Sequence, residues 1–361
     1  MLPFKPAAGA LIFGAFVSTL LSAQQLTKID GSAATRSEAL QAAGPSTNEE
    51  DADADSQPAS VFQTTVRNLF NKEKFAQLEA IANDVRSQES RFSGGAWKLH
   101  SFYRAIRTPG SLTATDAAWN AHIERMERWV AFTPDSSTPR VALAESYLRF
   151  AWKARGSGSG EKVTADGWKL FGERVQKARD TLEQAKSIST KDPQWYETML
   201  VVSLAQGWDQ KQAQQLLAEA STVAPNYYYF YDTYANYLLP KWYGKPGDSE
   251  TFAQTIADRI GGAEGDAVYF QLALSLNCCK THAPAPAIGW DRVKQGFTSL
   301  QQLYGVTNYE RNALAFMAVR QQEDREFAQQ LFARLGDNWS ERVWRSKDKF
   351  ESSKASLNQS Q

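Results

Sequence analysis

Hydrophobic residues recur every three or four positions along most of the chain, and this spacing gathers them on one face of an α-helix. The pattern is clearest in the stretch 226–269, where a helix ends at Pro240 and a second one ends at Gly261. Alternating patterns typical of β-strands are nearly absent. One face of the first helix is formed by Tyr227, Phe230, Tyr231, Tyr234 and Leu238. The pattern predicts an all-α protein.

Part of the chain repeats with the spacing of tetratricopeptide units, which are helical hairpins of about 34 residues. In such hairpins, small residues let the two helices approach closely, and a proline stops the second helix. Weaker matches occur near residues 122–134 and 327–336. The second-helix positions are matched by Ala213, Leu217, Ala220 and Pro225, and about 35 residues earlier by Ala178, Leu182 and Ala185. We therefore expect irregular tetratricopeptide-like hairpins.

Each hairpin leaves an apolar face that only a neighbouring hairpin can cover. The hairpins are therefore expected to stack into a right-handed superhelix with a concave inner surface. A toroid of paired helices (an α/α toroid) and another helical fold remain as alternatives.

The chain ends differ from this middle part. Residues 1–23 resemble a signal peptide, with Lys5 before an apolar stretch and a cleavage site after Ala23, although an uncleaved anchor is the alternative. Residues 24–58 are polar and carry the acidic run 49–55, which predicts a flexible linker rather than a calcium loop. The helical-repeat domain is expected over 59–347, with a possible sub-boundary in the Gly/Ser-rich loop 155–163. A flexible tail is expected over 348–361. The protein is thus expected to be exported to the periplasm or the cell exterior, with no membrane span after signal cleavage.

The corner between the two helices of stretch 226–269 is the candidate binding site. Aromatic surface next to charges of both signs could hold a sugar or the end of a peptide. The candidate binding residues are Tyr234, Lys241, Trp242, Tyr243, Asp248 and Asp266. The structural alternative is that Trp242 fills a gap between hairpins while the charged residues pair with Arg259 or cap helices. Asp248 or Ser249 is expected to cap the second helix, and a third helix is expected from near Gly265.

The segment Leu238–Asp248 (LLPKWYGKPGD) and the Gly-Asp-x-x-Tyr motif at Gly265 resemble a family of exported bacterial proteins. This family carries a Leu-Leu-Pro-Arg/Lys-Trp-x-Gly corner and is similar to domain of unknown function 4034. The resemblance extends through WDRVKQGF at Trp290 to LFARLGDNW at Leu331, about residues 170–345. It implies a helical-repeat-like fold in bacteria and no established activity, so no catalytic residues are transferred.

Charge and motif content argue against several functions. The 40 basic and 40 acidic residues give a formal net charge of zero, so nucleic acid is not an expected partner. The spacing of His100, His122 and His282 fits no metal signature, and the common catalytic motifs are absent from the sequence. No cofactor, metal or catalytic residue is therefore predicted. One enzyme class stays open, because paired carboxylates among Asp232, Asp248, Glu264 and Asp266 could serve a glycosidase.

Cys278 and Cys279 are adjacent in the chain, and their Cα atoms are about 3.8 Å apart, closer than the usual range for a disulfide. Buried or half-buried thiols are therefore expected, and a redox switch is the alternative.

These observations together favour an exported, non-enzymatic scaffold or protein-interaction module of the bacterial envelope that binds a protein or peptide. The alternative is a carbohydrate-active or sugar-binding helical toroid. The sequence does not indicate the oligomeric state.

Overall fold

The computed structural model describes residues 57–156, 160–189, 191–277, 289–320 and 324–357. These residues form helices and two short 3-10 turns, and the one β-bridge among them joins Arg91 to Trp97. The α-helices of the described part are α1 Gln57–Asn71, α2 Phe75–Ser87, α3 Lys98–Ile106, α4 Asp116–Phe132, α5 Thr138–Arg155, α6 Ala165–Ile188, α7 Pro193–Gln206, α8 Gln210–Val223, α9 Tyr228–Tyr237, α10 Asp248–Ile260, α11 Gly262–Asn277, α12 Trp290–Tyr304, α13 Asn308–Arg320, α14 Arg325–Leu335, α15 Glu341–Trp344 and α16 Lys347–Ser356. The prediction of an all-α fold is confirmed.

The helices are arranged in two layers. Each odd-numbered helix packs against the next odd-numbered one, from α1 to α15, and each even-numbered helix packs against at least one odd-numbered neighbour. We call the odd-numbered helices the inner layer and the even-numbered ones the outer layer. This contact pattern between successive pairs is the expected consequence of stacking helical hairpins, and it agrees with the predicted helical-repeat fold.

Small side chains fill the contact between the layers at the predicted repeat positions. Ala178 and Ala185 on α6, and Ala213 and Ala220 on α8, are fully buried. Trp195 on α7 lies against α6, and its indole N–H donates to the backbone carbonyl of Leu182 on α6 over 2.7 Å. The small residues thus allow close helix approach, and large aromatic side chains fill the remaining space between pairs.

Three local predictions need correction. The N-cap of α10 is Gly247 and receives no side-chain bond, because the Asp248 carboxylate instead accepts from the backbone N–H of Lys245 over 2.8 Å. The third helix of that stretch begins at Gly262, directly after the preceding one, rather than near Gly265. The tail expected from residue 348 is helical up to Ser356, because the buried Phe350 packs between Phe332 and Trp344.

The predicted sub-boundary at 155–163 lies between two helices that are in contact. The helices on both sides of the loop 155–163 pack against each other, with the guanidinium of Arg174 on α6 lying 3.3 Å from the ring centre of Phe150 on α5. The predicted signal peptide and nearly all of the predicted linker lie outside the described residues, as do Cys278 and Cys279. Among the helices that are described, none combines the length and apolar character needed to cross a bilayer.

Candidate functional site

Helix α7 carries the central polar groups of the inner layer. Its start is fixed by Asp192, whose carboxylate accepts from the backbone N–H of Gln194 over 3.0 Å, and by Pro193 in the first turn. Gly207 ends the helix in the left-handed conformation. Glu197 is the only charged residue of this mainly apolar helix. Because Gln194, Glu197 and Thr198 are three and four positions apart, they lie on the same face.

This face borders a cleft of about 260 Å³ on the inner layer. Four successive inner helices, α5, α7, α9 and α11, contribute to its walls. The cleft therefore exists only when these helices are stacked side by side. Its lining consists of Glu145, Leu148, Arg149, Trp152, Glu197, Thr198, Val201, Leu204, Asp232, Thr233, Asn236, Ser275 and Leu276.

The amide of Gln194 joins two carboxyl groups next to the cleft. Its Nε2 donates to Glu145 Oε1, and it donates to Glu197 Oε2 over 2.5 Å. Its Oε1 accepts from the Tyr227 hydroxyl and lies 3.2 Å from His100 Nδ1. An amide has two N–H donors and one acceptor oxygen, so this arrangement uses all of its hydrogen-bonding groups. Gln194 therefore fixes the positions of both carboxyl groups.

The surroundings raise the pKa of both carboxyl groups. Burial, followed by the nearby Glu145 and Asp232 carboxylates, raises the pKa of Glu197 to about 8. Burial also raises the pKa of Glu145, although Arg107 and Arg149 oppose this change. At neutral pH the Glu197 carboxyl thus carries a proton and can donate a hydrogen bond or a proton.

His100 lies on the same network and is uncharged. Its ring stacks on Tyr229 with ring centres 3.7 Å apart and an angle of 7° between the planes. Burial lowers the pKa of His100 well below its ordinary value, and the positive charges of Arg107 and Arg104 lower it further. The imidazole is therefore neutral at physiological pH and acts here as a hydrogen-bonding and stacking group.

The cleft walls have two chemical characters. Leu148, Trp152, Val201 and Leu204 form an apolar part, whereas the remaining lining groups include carboxyl, guanidinium, amide and hydroxyl groups. The acidic groups are accompanied by Arg149, so the cleft is of mixed charge. Such a surface can bury an apolar side chain while its polar groups form hydrogen bonds with a peptide backbone or with hydroxyl groups.

The candidate binding residues predicted from the sequence do not line this cleft. Instead, four aromatic rings at the corner after α9 form a stack. Tyr234 lies parallel to Tyr237, with ring centres 5.5 Å apart. Tyr237 stacks on Tyr243, with ring centres 4.7 Å apart, and the ring centre of Trp242 lies 6.4 Å from that of Tyr243. Tyr234 is buried and Trp242 is half-buried. The stack packs the corner against the core.

The charged members of the predicted site form separate contacts. Asp248 closes the turn before α10 through its bond to the backbone of Lys245. Asp266 on α11 accepts from Gln295 over 2.7 Å and lies 3.6 Å from the Arg292 guanidinium. Lys241 lies half-buried in the corner. The structure therefore does not bring the six predicted residues together in one site.

Of the four carboxylates considered for a glycosidase, only Asp232 reaches the cleft. Glu264 instead accepts from the Tyr304 hydroxyl. Three residues at the cleft were not predicted from the sequence: Glu145, Gln194 and Glu197. A signal was present in the sequence, because a single carboxylate among the mainly apolar residues of α7 indicates a buried polar site.

Within the described ranges, no group of three His, Cys, Asp or Glu side chains is placed to hold a metal ion. His122 is buried away from the cleft and its Nε2 lies 3.2 Å from the Ser146 hydroxyl. His282 lies outside the described residues.

Fold and cleft together define an all-α protein of stacked helical pairs with a cleft of mixed polar and apolar lining on the inner layer. Comparison of the chain with protein-family models, with curated proteins and with solved structures found no match. The resemblance to domain of unknown function 4034 therefore stays a prediction.

Proposed function

We propose that the protein is an exported, non-enzymatic binding module whose inner layer holds a segment of a partner protein in the cleft. The observation that carries this proposal is the position of the cleft, which is shared by four successive inner helices. Proteins built from stacked helical repeats generally bind their partners on the extended surface formed by the inner helices of successive repeats. Export to the bacterial envelope is the part of the proposal that rests on the N-terminal sequence.

The size and lining of the cleft support a peptide rather than a large ligand. A volume of 260 Å³ is below the range of roughly 300–1,000 Å³ that is usual for small-molecule sites. It is large enough for one or two side chains. Trp152 and Leu204 provide an apolar contact for such a side chain, while Thr233 and Asn236 provide hydrogen-bonding groups for a peptide backbone.

The test begins with the selection, from a random peptide library, of peptides that bind the wild-type protein. The affinity of these peptides is then measured for the wild type and for two variants. Thr233→Phe on α9 fills the cleft, and Thr255→Phe makes the same chemical change at an exposed position of α10 on the outer layer. We expect the selected peptides to lose at least tenfold in affinity for the first variant and to bind the second as they bind the wild type. Equal affinity for both variants would contradict the proposal.

A carbohydrate-active function is a second candidate, favoured by the protonated Glu197 next to Glu145 and Asp232. Glycosidases use one protonated carboxyl as a general acid and one carboxylate that acts on water or on the sugar. In this function Glu197 would donate its proton to the glycosidic oxygen. Release of reducing sugar from a panel of polysaccharides, lost in Glu197→Gln, would establish this candidate, and absence of both binding and hydrolysis would remove it.

A further inference from the structure

A short hairpin connects α2 and α3 and reaches helices α11, α12 and α13, which are distant in the sequence. Its two sides are joined by the bridge between Arg91 and Trp97 and by the bond from Phe92 N–H to the Ala96 carbonyl at 2.8 Å. Gly94 and Gly95 form its tip with φ of 79° and 73°. We call residues 91–96 the strap. Trp97 anchors the strap, because its ring is fully buried against Tyr227.

The tip of the strap lies in a slot between α11, α12 and α13. Gly94 N–H donates to the carbonyl of Gly305 over 3.1 Å, and the Gln271 side chain donates to the carbonyl of Gly94, also over 3.1 Å. A Cβ at Gly94 would lie 2.8 Å from the Glu310 carboxylate, and a Cβ at Gly95 would lie 2.8 Å from Gln271 Nε2. Glycine is therefore required at both positions, for backbone conformation and for space.

Arg91 supplies the charged contact of the strap. Its guanidinium lies 4.2 Å from the ring centre of Trp97 and 4.5 Å from that of Tyr304, and 3.9 Å from the Glu264 carboxylate. The Arg91 side chain is only 6% exposed. The Tyr304 hydroxyl donates to Glu264 and so keeps this carboxylate in place. The slot, formed by Glu264, Gln271, Tyr304, Gly305 and Glu310, thus recognises an arginine followed by a glycine turn.

The strap tip has no fully buried apolar side chain, unlike the helices that flank it. Ser93 is exposed and Ala96 is half-buried. Gly94 and Gly95 are buried but have no side chains, and the half-buried Phe92 ring lies 5.6 Å from that of Phe62. By contrast, Leu78 on α2 and Leu99 on α3 are fully buried, as is Phe102 on α3. Segments with few buried apolar contacts open locally before the rest of the protein unfolds. We therefore expect local opening to release the strap from the slot while both helices stay folded.

We propose that the strap is an internal ligand of this slot, and that its release makes the slot available to an arginine-bearing, glycine-containing segment of a partner protein. This inference extends the proposed function, because it adds a second binding region, between α11, α12 and α13. The strap competes with any such segment from within the chain, at the high effective concentration of a short tether. Partner binding is therefore weak while the strap occupies the slot.

Native-state hydrogen exchange of the full chain tests the first step. We expect the amides of residues 92–96 to exchange by local opening, faster than the amides of α3, and Arg91→Ala to accelerate their exchange by about tenfold, since it removes both ring contacts and the ion pair. Arg128→Ala, which removes an ion pair with Glu73 at the protein surface, is the matched control and should leave strap exchange unchanged. Strap exchange that occurs only through global unfolding would overturn the proposal.

A labelled peptide with the sequence of residues 90–98 (SRFSGGAWK) tests the second step. It should bind Arg91→Ala at least tenfold more tightly than the wild type, and the same peptide with alanine in place of its arginine should not bind. Absence of arginine-dependent binding by the variant would overturn the proposal. Thr233→Phe should change neither result, so failure of the proposed cleft function and failure of the strap proposal can be told apart.

Discussion

The most informative perturbation of the cleft is Glu197→Gln, which removes the carboxyl group and keeps the shape of the side chain. The pKa of Glu197 rises from the ordinary value of 4.5 to about 8, with burial as the main cause. Because the folded-state pKa is raised, the folded protein binds more protons than the unfolded chain between these values. The free energy of unfolding therefore falls as the pH rises from about 4.5 to 8.

The size of this effect follows from the shift. One pKa unit corresponds to about 1.4 kcal/mol, so ionisation of Glu197 in the folded state costs on the order of 5 kcal/mol at pH 9 if no other group responds. Coupling to Glu145 divides this cost between the two carboxyl groups, because protons leave such a pair in shared steps. We therefore expect Glu197→Gln to recover at least about 2 kcal/mol relative to the wild type at pH 9.

The assay is urea unfolding of both proteins at pH 6 and pH 9. The wild type should lose stability between these values, and Glu197→Gln should lose less. Glu183→Gln, at an exposed position of α6, is the control for the removal of a glutamate far from the cleft. Parallel pH dependence of Glu197→Gln and the wild type would refute the reasoning that this carboxyl group is held protonated.

Two further predictions concern the fold. Asp192→Ala removes a buried carboxylate and leaves the half-buried Arg86 guanidinium without the group that it contacts at 2.7 Å, so it should lower the free energy of unfolding by about 3–5 kcal/mol. Asp209→Ala removes only the side-chain cap of α8 and should lower it by about 1 kcal/mol. Both values are measured by urea unfolding. Gly244→Ala would place a Cβ 1.8 Å from the Leu238 carbonyl oxygen and should lower the melting temperature strongly, whereas Gly172→Ala, at an open position of α6, should keep or raise it. Equal effects within either pair would contradict these assignments.

The helices could be predicted because their signal is local. Apolar spacing and the small residues Ala178, Ala185, Ala213 and Ala220 lie within single helical pairs, and the structure places all four in the contact between layers. The tail was misjudged because most of its residues are polar. The single aromatic residue Phe350 provides its packing contact to Phe332 and Trp344.

The cleft could not be predicted because it combines side chains from four helices spread over about 130 residues of sequence. Nothing in the local pattern around Glu145 indicates that Glu197 and Asp232 will lie beside it. The aromatic corner attracted the functional prediction because its pattern is strong, yet its rings pack on one another. The contacts of the strap could not be predicted either. Gly94 and Gly95 indicate only a break between helices, and their hydrogen-bonding partners lie about 180 to 210 residues further along the chain.

The most direct test of the central claim is the hydrogen-exchange footprint of a selected peptide bound to the wild-type chain. The account predicts that protection appears in segments of α5, α7, α9 and α11, around Glu197 and Asn236, and disappears in Thr233→Phe. Protection confined to the outer layer or to the corner around Trp242 would contradict it.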